Sequence, residues 1–242
     1  MSFKSKVEDL LRNCPPLFRF ASRMYHKMHG SFRTLSPGAP GAIRKGFERV
    51  QQRDGSVDGD YYEFGLFRGY TFLQAWNHAR DLELSEVNFY GFDSFEGLPP
   101  AEGIDQADGR FFEGQFACSR QEVERNLASE GVHLDKINLV EGYYEDSLTE
   151  DLHSRFAFKP AAVVLLDCDY YSSTVTALKW MEPYIQAGTI LLFDDWFSYG
   201  ESNELGQQKA FQEFLDRHPE YRSEALWEFE NHGKGFELQT AT

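Results

Sequence analysis

Two short apolar runs, each ending in acids, constrain this chain more than anything else in it. Ala161–Leu166 is followed by Asp167 and Asp169, and Thr189–Phe193 is followed by Asp194 and Asp195. Near-continuous apolar runs of this length suit strands covered on both faces, as in a parallel sheet with helices above and below. Between them Val175, Leu178, Met181 and Ile185 recur at helical spacing, so Ser172–Ile185 reads as a helix and the whole unit as strand, helix, strand. A right-handed crossover makes the two strands parallel. Both sets of acids then gather at the carboxyl ends, where open α/β sheets bind ligands. If the first strand continues past Leu166, the alternate residues Asp167 and Asp169 share a face.

Four carboxylates on one sheet edge raise one another's pKa unless a positive charge sits among them. A divalent metal is the simplest such charge. Magnesium, a hard cation that takes oxygen ligands and keeps positions for water or substrate, suits the donor type. The alternative for each acid taken alone is an ordinary strand-end residue that caps a helix or faces water.

Upstream, Tyr61–Gly69 (YYEFGLFRG) has the spacing of strand, glycine turn and helix, with Glu63 at the strand end, Gly65 and Gly69 in the turn and Thr71 opening the helix. Glycines let backbone approach a ligand closely, and a helix N-terminus offers free N–H groups to an anion. Val87–Phe92 is a second strand, and Asp93 ends it where an acid can accept the hydroxyls of a ribose. Asp93 also fits a plain turn at the start of DSFEGLPP. Ile137–Gly142 reads as a third strand, and Tyr143 and Tyr144 follow where an adenine can stack. The long stretch Pro99–Ser119, rich in Gly and acids but seeded with Phe111, Phe112 and Phe116, reads as a lid. Arg120–Glu130 and Gln207–Leu215 read as helices, Trp196–Gly206 as a loop, and Ala225–Phe229 with Lys234–Leu238 as a terminal antiparallel hairpin.

At 242 residues the chain suits one large domain, or one domain with an appendage. Residues 1–55 form the expected accessory region, a cover for substrate, and 56–242 the main domain. In the former, Val7, Leu10 and Leu11 suggest a helix ended by Pro15 and Pro16, and Leu17, Phe20, Met24 and Met28 a second. Ser36–Gly41 reads as a loop and Ile43–Gln51 as a short helix. A net charge of −15 argues against nucleic acid or an anionic membrane as partner. No run approaches a membrane span, no secretion signal opens the chain, and three cysteines without metal-type spacing suit the cytoplasm. A homodimer is compatible with the sequence, which does not fix the oligomeric state.

In order along the chain, EFGLFRG, GFDSFEGLP, LVEGYYEDSL, LLDCDYYSST and LLFDDW resemble the macrocin O-methyltransferase type of class I S-adenosylmethionine-dependent methyltransferases, which methylate sugar hydroxyls in natural products. A more distant similarity to catechol O-methyltransferase rests on Glu63, Gly65, Gly69, Tyr70 and Thr71. The resemblance implies a Rossmann-like α/β fold. Its sheet has seven mostly parallel strands with helices on both faces and a C-terminal antiparallel hairpin, and S-adenosylmethionine lies across the carboxyl edge. It implies magnesium at Asp167, Asp194 and Asp195, with Asp169 as general base. It places the methionine part of the cofactor by Glu63, Gly65 and Thr71, with Asp167 adjoining it, the ribose at Asp93, and the adenine near Ser94, Gly142, Tyr143 and Tyr144. Cys168 stands where the family usually has Gly, and Trp196 where Tyr is common.

The expected chemistry is methyl transfer to a small-molecule acceptor whose two neighbouring oxygens chelate magnesium while Asp169 takes a proton. One rival is a glycosyltransferase that uses Asp167-Cys168-Asp169 as an Asp-x-Asp metal site; the glycine turn, Asp93 and the second acid pair distinguish it. Another is a catalytically silent nucleoside-binding protein of the same fold.

Overall fold

Alternation of side chains across five parallel strands builds the molecule in three layers. The computed structural model describes residues 38–107, 111–200 and 202–241. Its elements run α1 (Gly38–Asp54), β1 (Asp60–Phe64), α2 (Tyr70–Asp81), β2 (Phe89–Asp93), α3 (Arg120–Ser129), β3 (Ile137–Glu141), the single turns α4 (Tyr144–Ser147) and α5 (Leu152–Arg155), β4 (Ala161–Leu166), α6 (Tyr171–Met181), β5 (Ile190–Phe193), α7 (Gly206–Arg217), β6 (Tyr221–Phe229) and β7 (Gly233–Thr240). They form one sheet of seven strands in the order β3-β2-β1-β4-β5-β7-β6. The first five strands are parallel, and β7 runs antiparallel to both β5 and β6.

The apolar runs are continuous because each strand feeds two cores. Val163, Leu165, Ile190 and Leu192 join Tyr61 and Phe89 against α1, α2 and α3. Val164, Leu166, Leu191 and Phe193 join Phe64 and Phe92 against α6 and α7. Each buried side chain of this size contributes roughly 1.5–3 kcal/mol. Because strand direction alternates side chains between the cores, the polar ends emerge together at the carboxyl edge.

Several boundaries differ from expectation for physical reasons. The loop expected at Ser36–Gly41 is helical from Gly38, because Pro40 falls in the first turn, where its missing N–H breaks no intrahelical bond. Residues 38–54, placed by sequence in the accessory region, thus form α1. Its Ile43 and Phe47 are fully buried, and Arg49 and Arg53 pair with the buried Glu237 on β7 at 2.6 and 2.5 Å. The two helices expected within residues 1–37 lie outside the described residues. α6 stops at Met181 rather than Ile185, since Pro183 has no N–H to continue the helical hydrogen bonds, although Glu182 before it keeps helical backbone. The hairpin strands are longer than expected; β6 is an edge strand with the exposed charges Arg222, Glu224 and Glu228, which weaken its apolar signal. No described helix is long and apolar enough to cross a membrane.

Candidate active site

A cavity of about 330 Å³ opens at the carboxyl edge. Of the residues singled out from sequence, Gly65, Thr71, Asp93, Ser94, Tyr143, Tyr144, Asp167, Asp169, Asp194 and Asp195 line it. Glu63 and Gly142 do not.

The glycine turn after β1 is pressed against the end of β4. Gly65 has φ +92°, and a Cβ there would lie 1.8 Å from the Asp167 carbonyl oxygen, so only glycine fits. Its N–H donates to Phe92 O at 2.9 Å, while Asp167 N–H donates to Phe64 O at 2.8 Å. Asp93 closes the turn from the β2 side. Its Oδ2 accepts from the N–H groups of Leu66 (2.6 Å) and Phe67 (3.1 Å), and Oδ1 accepts from Phe95 N–H at 2.6 Å. Burial pushes the Asp93 pKa up, and these three donors oppose it.

Glu63 stands behind this turn, fully buried. It accepts hydrogen bonds from Thr71 Oγ1 at 2.6 Å and Tyr61 OH at 2.5 Å. Burial raises its pKa to about 8 despite those two donors. On the other flank Tyr144 belongs largely to the core, edge-on to Phe64, with its hydroxyl donating to Phe92 O at 3.3 Å. Tyr143 is half-buried at the cavity wall. Ser94 spends its hydroxyl within its own turn, donating to Gly97 O and accepting from Glu96 N–H.

The acids converge as expected, but by a different backbone path. β4 ends at Leu166, and Asp169 reaches the site through a left-handed residue, φ +59°, which Asp tolerates better than most side chains. Oxygens of Asp167, Asp194 and Asp195 lie within 4.8 Å of one another. Asp169 N–H donates to Asp195 Oδ2 at 3.1 Å, and Ser198 Oγ donates to Asp195 Oδ1 at 3.0 Å. Burial first, and then the charges of Asp194 and Asp195, push the pKa values of Asp167 and Asp169 well above the usual range. Three crowded carboxylates with oxygen-only donors are the donor set of a hard divalent cation.

Three residues that hold this arrangement escaped sequence reasoning. Gln207, fully buried in the first turn of α7, accepts from Asp195 N–H at 2.9 Å and donates to Leu166 O at 3.0 Å, bridging the ends of β5 and β4. Asp105, in the expected lid, accepts from the N–H groups of Tyr171 (2.7 Å) and Ser172 (3.2 Å) and so caps α6 from a distance. His232, in the β6–β7 turn, lines the cavity beside the acids. No local spacing signals any of the three, because each partner is remote in sequence. From the stretch expected to form a lid, Phe111 meets Tyr170 edge-on at 5.9 Å and Phe116 meets Phe67 at 5.7 Å, and both line the cavity.

Residues 40–218 match the family model described as Macrocin-O-methyltransferase (TylF). An 8-demethyl-8-(2,3-dimethoxy-alpha-L-rhamnosyl)-tetracenomycin-C 4'-O-methyltransferase of Streptomyces olivaceus is 29% identical over 58% of this chain and 54% of its own length. A Mycinamicin III 3''-O-methyltransferase of Micromonospora griseorubida is 25% identical over 69% of this chain and 63% of its own. The match thus spans between half and two thirds of these relatives. The solved structure of the O-methyltransferase NovP shares the fold, with a TM-score of 0.69 at 21% identity over 84% of this chain and 79% of that one.

Proposed function

The chain belongs to the macrocin O-methyltransferase family, and on that premise we propose that it transfers a methyl group from S-adenosylmethionine to a hydroxyl of a natural-product sugar in a magnesium-dependent reaction. The observation that carries this reading is the meeting, in one cavity, of a glycine turn closed by Asp93 with the triad Asp167, Asp194 and Asp195 and the neighbouring Asp169. The sugar as acceptor is supported by the names of the two relatives, which act on a rhamnosyl tetracenomycin and on mycinamicin III.

The donor set fits magnesium, which when bound acts as Lewis acid and template for two neighbouring acceptor oxygens, while the sulfonium cofactor supplies the methyl group. Asp167, Asp194 and Asp195 would hold the cation. Asp169 would accept the proton that the acceptor hydroxyl gives up as it takes the methyl group. Gly65 and Thr71 would border the methionine part of the cofactor, Asp93 the ribose, and Tyr143 the adenine. Phe111 and Phe116, from the Pro99–Ser119 stretch, line the cavity and exclude water from it.

Chelation with EDTA is expected to abolish transfer and added magnesium to restore it. Asp167→Asn should weaken magnesium binding. Asp169→Asn should keep metal and cofactor affinity yet slow single-turnover transfer by about 10²–10⁴-fold. Full activity after exhaustive chelation would remove the metal from the reading, and a normal rate in Asp169→Asn would remove the base.

A further inference from the structure

Sheet order lays the carboxyl edge out as a line. β2 and β1 bring Asp93 and the glycine turn, β4 and β5 bring the acids, and beyond β5 comes the turn that joins β6 to β7. From that turn His232 lines the cavity, on the side of the acids away from the glycine turn.

The orientation of its ring is fixed by a two-way clamp. Nδ1 lies 2.6 Å from the Asp194 carbonyl oxygen, and the His232 carbonyl accepts from Phe197 N–H at 2.8 Å. A carbonyl can only accept, so Nδ1 carries the proton, and in the neutral imidazole Nε2 is left as a lone-pair acceptor. Nε2 has no hydrogen-bond partner among the described residues, and 36% of the side chain is accessible. Nδ1 is also the nitrogen near the triad, 3.7 Å from Asp194 Oδ2, and it is already committed. The ring therefore stands beside the metal ligands without joining them.

We propose that His232 Nε2 accepts a hydrogen bond from the acceptor, from the hydroxyl next to the one that is methylated, and so selects acceptors with vicinal hydroxyls. This rests on the methyl-transfer reading above. Asp169, on the β4 side, serves the reacting hydroxyl; His232, beyond β5, faces the far side of the acceptor. The glycine turn and Asp93, at β1 and β2, lie on the other side of the acids in the strand order.

Two substitutions separate recognition from the structural clamp. Asn at 232 keeps an N–H near the position of Nδ1 and lacks Nε2, whereas Gln carries its terminal amide near the position of Nε2 and loses the donor to Asp194. The acceptor probe is methyl α-L-rhamnopyranoside with saturating S-adenosylmethionine and magnesium, and S-adenosylhomocysteine binding is measured separately. His232→Asn is expected to raise the acceptor KM roughly 3- to 10-fold with kcat, cofactor affinity and magnesium requirement unmoved. His232→Gln should recover much of that KM while lowering the unfolding temperature. Removal of the neighbouring hydroxyl from the glycoside also removes its chelation in both enzymes, so the form that lacks it should lose more with wild type than with the Asn variant, by the factor that Asn costs on the intact glycoside. A wild-type KM in His232→Asn, or a KM that follows stability in both variants, overturns the assignment. A changed magnesium requirement makes His232 a ligand and overturns it as well. If the wild type binds S-adenosylhomocysteine but methylates no form of the glycoside, the sugar-acceptor reading falls and this inference with it.

Discussion

Glu63→Gln should stabilise the protein, increasingly so as pH rises. Glu63 is wholly buried and its pKa stands at about 8 against an ordinary 4.5, chiefly from burial, with Thr71 and Tyr61 only partly offsetting it. Between these two values the unfolded chain has released a proton that the native state keeps. The unfolded state then binds fewer protons, so native stability falls as pH rises through this window. Below about 4.5 both states are protonated and the penalty is absent. The full penalty is (8 − 4.5) × ~1.36, or about 5 kcal/mol above pH ~8. Gln remains neutral and escapes it. Urea unfolding of both proteins in EDTA without cofactor, at about pH 5 and at successive points to about pH 8, measures the gap; the other raised acids are common to both, and only their coupling to Glu63 differs. The gap should widen by up to ~1.4 kcal/mol per pH unit. A flat gap would mean that Glu63 is ionised in the native state, its charge held by the two hydroxyls, and would refute the reasoning.

Gly65→Ala should lower both the unfolding temperature and S-adenosylhomocysteine affinity measured by calorimetry, since its Cβ meets the Asp167 carbonyl at 1.8 Å and its φ is +92°; the strain and displacement amount to roughly 2–5 kcal/mol. Gln207→Leu removes the side-chain acceptor of Asp195 N–H and one of the two donors to Leu166 O, which keeps Asp194 N–H, a loss of about 1–3 kcal/mol in urea unfolding, accompanied by weaker magnesium binding. Asp105→Ala uncaps α6, costing about 1–2 kcal/mol, and should make the Pro99–Ser119 stretch more sensitive to proteolysis while the rest of the chain is unaffected.

The sheet was legible because its strands are buried on both faces: runs such as AAVVLL and ILLF have no other comfortable environment, and the acids that stop them mark the edge. The gathering of acids at that edge was legible by residue type for the same reason, and Asp167, Asp194 and Asp195 do meet. What sequence did not reveal was the backbone path and the support. Asp169 shares a strand face with Asp167 only if β4 continues past Leu166; it does not, and Asp169 arrives through a left-handed turn, because the chain must leave β4 and enter α6 within four residues. Gln207 and Asp105 act through backbone groups 12 and 66 residues away in the chain. A buried amide or carboxylate that satisfies remote backbone has no periodicity, so only the fold reveals it.

Asp93 shows how the same residue type can be read correctly while its work is divided differently. From sequence it is an acid placed to take both hydroxyls of a ribose. A carboxylate offers about four lone-pair directions. Leu66 and Phe67 N–H occupy both directions of Oδ2, and Phe95 N–H occupies one of Oδ1. One direction remains, on Oδ1, enough for a single hydroxyl. The first task of Asp93 is therefore to close the glycine turn, and any hold on a ribose comes second. This follows from the crowding at the edge. The turn must lie against Asp167, where only glycine fits, and glycine brings no side chain to pin its own loop. The neighbouring strand supplies the pin, through the N–H groups of Leu66 and Phe67 that donate to Asp93. Loss of the Asp93 carboxylate then loosens the whole turn, so the methionine end of a ligand is weakened together with its ribose end.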